Sequence, residues 1–378
     1  MIESYLKLFG PQSAEEPRYV AIPNLAEPRL ILPILNRRVF TSALQIQNTA
    51  APGNRLKKTI LGASYPLPTL IFRSNMFSGT PLLRDLLGFI SEKGGWKLPI
   101  ALSGYCGSKG NNRKLTLQMM EENGKILGYV KIADNPEAAR FVHAEANACS
   151  SIAALNLKLI EAPRSIFLDE WRGWTLYGQS NIGDGTASMG YDLTTGVADA
   201  LIEVAKNSAD RDGRENYLAA LSQRVHDQST LLGTKIVDMV NKSIAAARAI
   251  GFPLVFVHGD FVPYNVKRKG EKYAVFDWEF FLPKGLPFSD LFHYLYQGYH
   301  QIHDLPPGTI MREKIFGHRS NMHLIRKYAE SLLIPDSAIP HFFRLYLAEN
   351  FLFYIQHNLG TSSRENQFLS GLNWADLL

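Results

Sequence analysis

The strongest constraint on this chain is a pair of short apolar runs that each end on an aspartate. Leu254–Val257 runs into His258-Gly259-Asp260, and Tyr273–Phe276 runs into Asp277. Both runs have the length and composition of strands rather than helices. Asn265 lies on the loop between them, five residues after Asp260 and twelve before Asp277. Strand ends that deliver two carboxylates, with an amide between, suit a divalent cation. Magnesium takes hard oxygen ligands and keeps waters and substrate phosphates in its shell. In this reading Asn265 and Asp277 supply protein oxygens, and Asp260 accepts a proton from an attacking hydroxyl. Phosphoryl transfer asks for positioning and charge neutralisation more than for covalent chemistry, and this set offers both. Taken singly, each aspartate has a plainer reading as a cap or turn residue.

Composition bounds the class. The 378 residues suggest two to three domains at about 150 residues each. With 46% hydrophobic and 20% charged residues, the composition is that of a globular chain, not a disordered one. The longest apolar runs fall far short of the ~18 residues that span a bilayer, so no membrane insertion is expected. Met1 to Gly10 carries an early Glu3 and no long apolar stretch, so it does not read as a secretory signal. Two cysteines, Cys106 and Cys149, make neither a disulfide framework nor a four-thiolate zinc site. A cytoplasmic location is therefore expected. A net charge of +5, spread along the chain, allows an anionic ligand such as a nucleotide but does not argue for nucleic acid. Nothing in the pattern sets an oligomeric state.

The chain divides by texture. Residues 1–95 are rich in proline, with apolar runs at Leu30–Ile34 and Leu70–Phe72. They hold one clear helix, with Thr80 as N-cap, Pro81 at the first position and Gly94-Gly95 as its stop. Strands are expected at Leu98–Leu102, Lys114–Met120, Ile126–Ala133, Ile166–Leu168 and Trp174–Gly178. A turn-rich loop is expected at Ser103–Asn112 and a helix from Pro136 to about Leu155. After a hinge near Gln179–Gly185 the chain turns helical: Thr194–Lys206, then Leu221–Ile250 as one long helix or two, then most of the chain from Leu291. The class is α+β. The expected division is a 1–95 extension of open role, a strand-rich lobe over 96–182 and a helix-rich lobe over 183–378. A cleft between two lobes is a natural ligand site.

His258-Gly259-Asp260, four residues, Asn265, a strand and then Asp277 together resemble the signature of the aminoglycoside phosphotransferase and choline kinase superfamily. That superfamily shares the two-lobed protein-kinase fold, and the resemblance runs from about residue 96 to 378. It implies that Asp260 is the catalytic base and that Asn265 and Asp277 hold magnesium. Glu279 matches a position where choline-kinase-like members also carry Glu, and would assist the metal or the substrate. It implies a strand lysine on the nucleotide's phosphates, which Lys131 matches, and a helix glutamate that orients it, which Glu145 matches. The loop Gly104–Gly110 sits where the nucleotide-covering loop belongs, with Gly104 and Gly107 as its glycines, although it lacks a strict G-x-G-x-x-G. Backbone groups from Gln179 to Ile182 would meet the adenine. Asp290 matches an aspartate that opens a helix and braces the catalytic loop. The implied cofactors are ATP, or GTP in its place, and Mg2+. The implied acceptor is a hydroxyl of a sugar, amino-sugar or amino-alcohol.

Other readings compete. A degenerate kinase-fold scaffold is the main alternative, and the intact set Lys131, Glu145, Asp260, Asn265 and Asp277 argues against it. A protein kinase is disfavoured because His-Arg-Asp and Asp-Phe-Gly are missing and only twelve residues separate Asp277 from Ser289. His258 reads as a structural histidine held by backbone bonds, and the other histidines show no zinc spacing. The C-terminal aromatics fall at helical spacing and read as core rather than as a quaternary-ammonium cage. The scattered acids beyond Leu291, balanced by bases, do not favour a polycationic acceptor. Lys131 is expected at the cleft and not in the core, ending its strand.

Overall fold

The computed structural model describes residues 5–10, 18–24, 26–46, 65, 75–107 and 113–356. The chain forms two compact units, Met1–Ala154 with Ala162–Thr186, and Leu155–Glu161 with Ala187–Leu378. The α+β class is as expected. The expected run Leu70–Phe72 lies outside the described residues.

The first unit is built on one antiparallel sheet. Its strands among the described residues are β1 (Phe9–Gly10), β2 (Arg18–Ile22), β3 (Leu30–Pro33), β4 (Met76–Gly79), β5 (Ala101–Cys106), β6 (Leu115–Met120) and β7 (Ile126–Ala133). β8 (Ile160–Glu161) belongs to the second unit; β9 (Ser165–Trp171) and β10 (Trp174–Ser180) complete the sheet. The order is β1-β4-β2-β3-β5-β6-β7-β10-β9. Residues before 96 are therefore part of this sheet: β3 pairs with β5 through Leu30↔Tyr105 and Ile31↔Gly104. The anticipated division at 95/96 falls inside one compact unit, and the unit ends at Thr186 rather than at 182.

Two helices of this unit matter below. α1 (Pro81–Gly94) buries Leu83, Leu86 and Ile90 and stops at Gly95, which takes φ 65. Thr80 stands at its N-cap, but its hydroxyl donates to the Lys7 carbonyl at 3.0 Å instead of capping the helix. α2 (Pro136–Ala154) is capped by Asn135, whose Oδ1 accepts from the Ala138 N–H at 2.9 Å. Its buried face, Ala138, Val142, Glu145, Ala146, Cys149 and Ile152, follows steps of three and four and includes a glutamate.

The strand expected at Leu98–Leu102 instead starts at Ala101 and continues through Cys106. Pro99 has no N–H to give a ladder, which delays the start. Ser103, Gly104 and Tyr105 look like turn residues, yet they pair with Gln118, Leu117 and Thr116. A Cβ on Gly104 would lie 3.3 Å from the Ile31 Cβ, so the glycine serves the close approach of β3.

The second unit is mainly helical. α3 (Thr195–Ser208) is capped by the Thr194 hydroxyl, which accepts from the Val197 N–H at 3.3 Å. The span expected to be helical from Leu221 begins earlier, as α4 (Arg214–Asp227), followed by a single turn Ser229–Leu232 and α5 (Thr234–Ile250). Gly233, at φ 77 and ψ 155, breaks the run. α6 (Ser289–His303), α7 (Arg319–Ser331) and α8 (Ile339–Gln356) make up the C-terminal part. α8 is buried along most of its circumference, including Phe342, Phe343, Tyr346 and Phe351. Phe288 and Phe292 pack on these rings and Tyr328 packs on Phe288, so the aromatics fill the core as expected. Small sheets complete the unit. β12 (Val255–Val257) pairs with β15 (Leu282–Gly285), and β11 (Ala187–Ser188), β13 (Val266–Lys269), β14 (Lys272–Val275) and β8 form the other. No described helix is long and apolar enough to cross a membrane.

The first ninety-five residues should thus be inseparable from the sheet. Truncation at Trp96 is expected to give insoluble protein. Leu86→Ala, at a fully buried site in the same core as Leu102 and Leu117, should cost about 2–5 kcal/mol in denaturant unfolding. A soluble, stable truncation with an unchanged midpoint for Leu86→Ala would show the segment to be a separate module.

Candidate active site

In the second unit the site grows from a hairpin of which sequence reading had one arm, Tyr273–Phe276, and missed the other, β13. β13 and β14 pair in the register Val266↔Val275, turning at Gly270. The register continues one step further, where the Phe276 N–H donates to the Asn265 carbonyl at 2.9 Å. The twelve residues from Asn265 to Asp277 are therefore two strands and a turn, which return the chain to where it started. Asp277 follows at φ 66, a left-handed backbone that Asp tolerates better than most residues.

The loop from β12 is held from three sides. The Asp290 carboxylate, in the first turn of α6, accepts from the His258 N–H at 2.7 Å and the Gly259 N–H at 3.0 Å. Burial pushes the Asp290 carboxyl up, against the pull of the nearby His258 and of these two N–H groups. Gly259 stands at φ 85, and a Cβ there would lie 2.4 Å from the Phe280 carbonyl, so no other residue fits this turn. His258 is buried, and both ring nitrogens meet backbone. Nδ1 accepts from the Asp260 N–H at 3.1 Å, which leaves Nε2–H to donate to the Phe276 carbonyl at 2.9 Å. It is the structural histidine expected, tying the two strand ends together. The Trp278 ring lies against it at 4.5 Å between centroids.

Asp260 itself is 27% exposed at its side chain, in a loop anchored by buried Phe261 and Val262. The Asn265 amide nitrogen donates to its carbonyl at 3.0 Å and to its Oδ2 at 2.8 Å. With the nitrogen so committed, the amide oxygen of Asn265 faces away from Asp260. Oδ1 of Asp260 meets His293 Nε2 at 3.3 Å. Asp277 and Glu279 are half-buried on either side of buried Trp278. Among the described residues no three His, Cys, Asp or Glu side chains gather as a metal nest. The donor set fits magnesium nonetheless: an oriented amide oxygen and a carboxylate at one end of a hairpin are the hard, sparse protein ligands that ion takes when phosphates complete its shell.

In the first unit, Lys131 Nζ lies 2.6 Å from Glu145 Oε2, with the two side chains 9% and 0% exposed. Lys131 does not end its strand: β7 continues to Ala133, and Lys131 pairs with Thr116 on one side and Tyr177 on the other. It is buried, where the sequence reading kept it out of the core, because its partner lies on the buried face of α2. Gln179 is buried in β10, opposite Tyr129, where the register with β9 shifts. Gly107 closes the β5–β6 arms, its N–H donating to the Lys114 carbonyl at 3.1 Å. Gly104 lies within β5 and not in the loop; residues 108–112 of that loop lie outside the described residues.

A model of the phosphotransferase enzyme family matches residues 128–320, which is 193 of 378 positions and just over half of the chain. The chain belongs to that family. None of the curated proteins matches it. Among solved structures it is similar to the GDP complex of wild-type aminoglycoside 2'-phosphotransferase-IIIa, at 14% identity and TM-score 0.47, over 78% of this chain and 98% of that one. Amicoumacin kinase hAmiN in complex with AMP-PNP, Ca2+ and Ami aligns at 13% identity and TM-score 0.45, over 72% of this chain and 87% of that one. A choline/ethanolamine kinase family protein from Mesorhizobium loti aligns at 15% identity and TM-score 0.38, over 78% and 96%. The family is the one that the residues from His258 to Asp277 resemble.

Sequence reasoning missed His293 and Tyr346, which line up behind Asp260. The available signal was spacing: His293 is three residues after Asp290 on one helix, so both face the same way.

The buried ion pair sets a stability expectation. Lys131→Ala strands the Glu145 carboxylate and should cost about 3–5 kcal/mol in denaturant unfolding. Adding Glu145→Gln should restore much of that loss. Identical midpoints for wild type and Lys131→Ala would show that the pair is not a buried charge contact.

Proposed function

We propose that this phosphotransferase is an ATP- and magnesium-dependent kinase that moves the γ-phosphate to a hydroxyl of a small molecule. The observation that carries the reading is the Asn265 amide. Its nitrogen fixes Asp260, and the hairpin pairing places Asp277 one residue beyond the partner of Asn265. One residue thereby orients a base on one side and offers a hard ligand on the other.

Each residue's role follows from its surroundings. Asp260 takes the acceptor's proton through a partly exposed carboxylate whose rotamer is fixed. Asn265 and Asp277 would hold magnesium, with Glu279 as a further oxygen near it. When bound, that ion would neutralise charge on the phosphate oxygens. Lys131 would meet the nucleotide's phosphates. Glu145, 2.6 Å away, holds that lysine in place. Gly104 and Gly107 flank the loop that would cover the nucleotide, and backbone groups near Gln179 would meet its base; GTP could replace ATP there. The acceptor is a sugar, amino-sugar or amino-alcohol hydroxyl. Free, buried Cys106 and Cys149 suit a reducing cytoplasm.

Two isosteric variants separate the roles. Asp260→Asn removes the base and should leave magnesium–ATP binding intact while transfer falls about 10²–10⁴-fold. Asp277→Asn tolerates the same left-handed backbone, so it isolates the lost charge. It should weaken the magnesium dependence of ATP affinity and slow transfer as well. Calorimetric ATP titrations with and without magnesium read the difference. The reverse pattern would exchange the two roles, and nucleotide binding without any acceptor-dependent ADP release would make the chain a scaffold.

A further inference from the structure

Asp260 carries a second set of contacts, on the side away from the Asn265 amide nitrogen. His293 Nε2 lies 3.3 Å from Asp260 Oδ1, and the Tyr346 hydroxyl lies 3.3 Å from His293 Nδ1. Three segments meet in this line: the loop after β12, α6 and α8. His293 and Tyr346 are 7% and 4% exposed, so neither contact is a surface accident. The two rings stand nearly perpendicular, at 85°.

The donor directions are determined by chemistry. An ionised carboxylate only accepts, so the nitrogen facing Asp260 must carry a proton. In a neutral imidazole, Nδ1 is then an acceptor, and the Tyr346 O–H is its donor. Burial holds the Tyr346 phenol well above its ordinary range, so the hydroxyl keeps its proton. The ionisable groups facing His293 are Asp260 from the loop, Asp290 one turn back on α6, and Tyr346 from α8.

An aspartate's terminal torsion is broad, and one donor leaves the carboxylate free to rock. Here Asn265 holds Oδ2 at 2.8 Å and His293 holds Oδ1. Each oxygen keeps a lone pair for a hydroxyl. Asp290 fixes the backbone of the same loop from the same face of α6, three residues before His293. One helix thus sets both the loop's path and its base's rotamer. Contacts around a reacting group are commonly long before substrate binds.

We propose that His293 is a positioning residue for Asp260, fixing the carboxylate through Nε2–H, and that Tyr346 fixes the imidazole tautomer. This rests on Asp260 being the base. The test compares His293→Leu, which removes the donor, with His293→Gln, whose amide supplies one at similar reach. The reaction is magnesium–ATP hydrolysis by the whole chain, with water in place of the acceptor and ADP release as readout. His293→Leu should lower kcat about 10–100-fold, the scale on which outer partners of a reacting group act. The KM for magnesium–ATP should not change. His293→Gln should recover most of the loss, and Tyr346→Phe should lose less than His293→Leu. Nitrogen-15 NMR of histidine-labelled protein supplies a readout independent of turnover: Nε2 of His293 should carry the proton, and the Nδ1 resonance should move in Tyr346→Phe. Equal losses in His293→Leu and His293→Gln, matched by equal losses of melting temperature, would reduce His293 to packing and overturn the inference. So would a proton on Nδ1. ADP release that is lost in Asp260→Asn but unchanged in His293→Leu overturns this inference alone. A wild-type chain that releases no ADP either with water or with a pool of hydroxyl acceptors removes the kinase reading and this inference together.

Discussion

The helix-rich unit's site hangs on one buried carboxylate. Asp290 accepts two backbone N–H bonds from His258 and Gly259, and those bonds turn the chain so that Asp260 leaves the core. Leaving either N–H unpaired in this buried loop costs about 1–3 kcal/mol. Glycine is obligatory at 259 because the turn brings it against the Phe280 carbonyl. His258 then bridges to Phe276, so the strand ahead of Asp277 is held to the same loop. One clamp therefore propagates through two backbone bonds, one imidazole and one amide to both aspartates. Nothing in that chain is long or flexible, as positioning for phosphoryl transfer demands.

The strand-rich unit solves a different problem with a different device. Lys131 and Glu145 are buried and lie 2.6 Å apart, and the contact offsets the cost of burying either side chain. A lysine so placed has little conformational freedom. Its position is set by two neighbouring strands and by the register of one helix, α2. Described residues before Trp96 contribute to the same unit. They extend the sheet at β3 and fill the core with Tyr5, Leu8 and Tyr19. The stability of the unit that carries Lys131 is thus shared with a segment that the family match does not reach.

Much of this was legible in the sequence, for physical reasons. Strands and helices with strong local signals were read correctly: the strand Ile126–Ala133, the helix from Pro136, and the helix expected at Thr194–Lys206. The helix-spaced aromatics were core, because no polar pattern competed with packing. The structural role of His258 followed from its place between two strand ends. What failed was non-local. β13 is Val-Lys-Arg-Lys, a polar strand whose pairing is imposed by the return of the chain, not by propensity. Ser103–Cys106 has turn residues in a strand because β3 must pass close by. Gly233 breaks a helix whose apolar face runs on past it. The burial of Lys131 and the line from Tyr346 through His293 to Asp260 depend on segments far apart in sequence, and no spacing rule reports them.

The central claim is that Asp260 activates a small-molecule hydroxyl for phosphorylation. The most direct measurement incubates the intact chain with magnesium–ATP and a pool of sugars, amino-sugars, amino-alcohols and aminoglycosides, and identifies phosphate monoesters by mass spectrometry. The account predicts a monoester of at least one acceptor with the wild-type chain and none above background with Asp260→Asn. It is contradicted if wild-type protein that binds the nucleotide phosphorylates no member of the pool, or if Asp260→Asn makes the same product at the same rate.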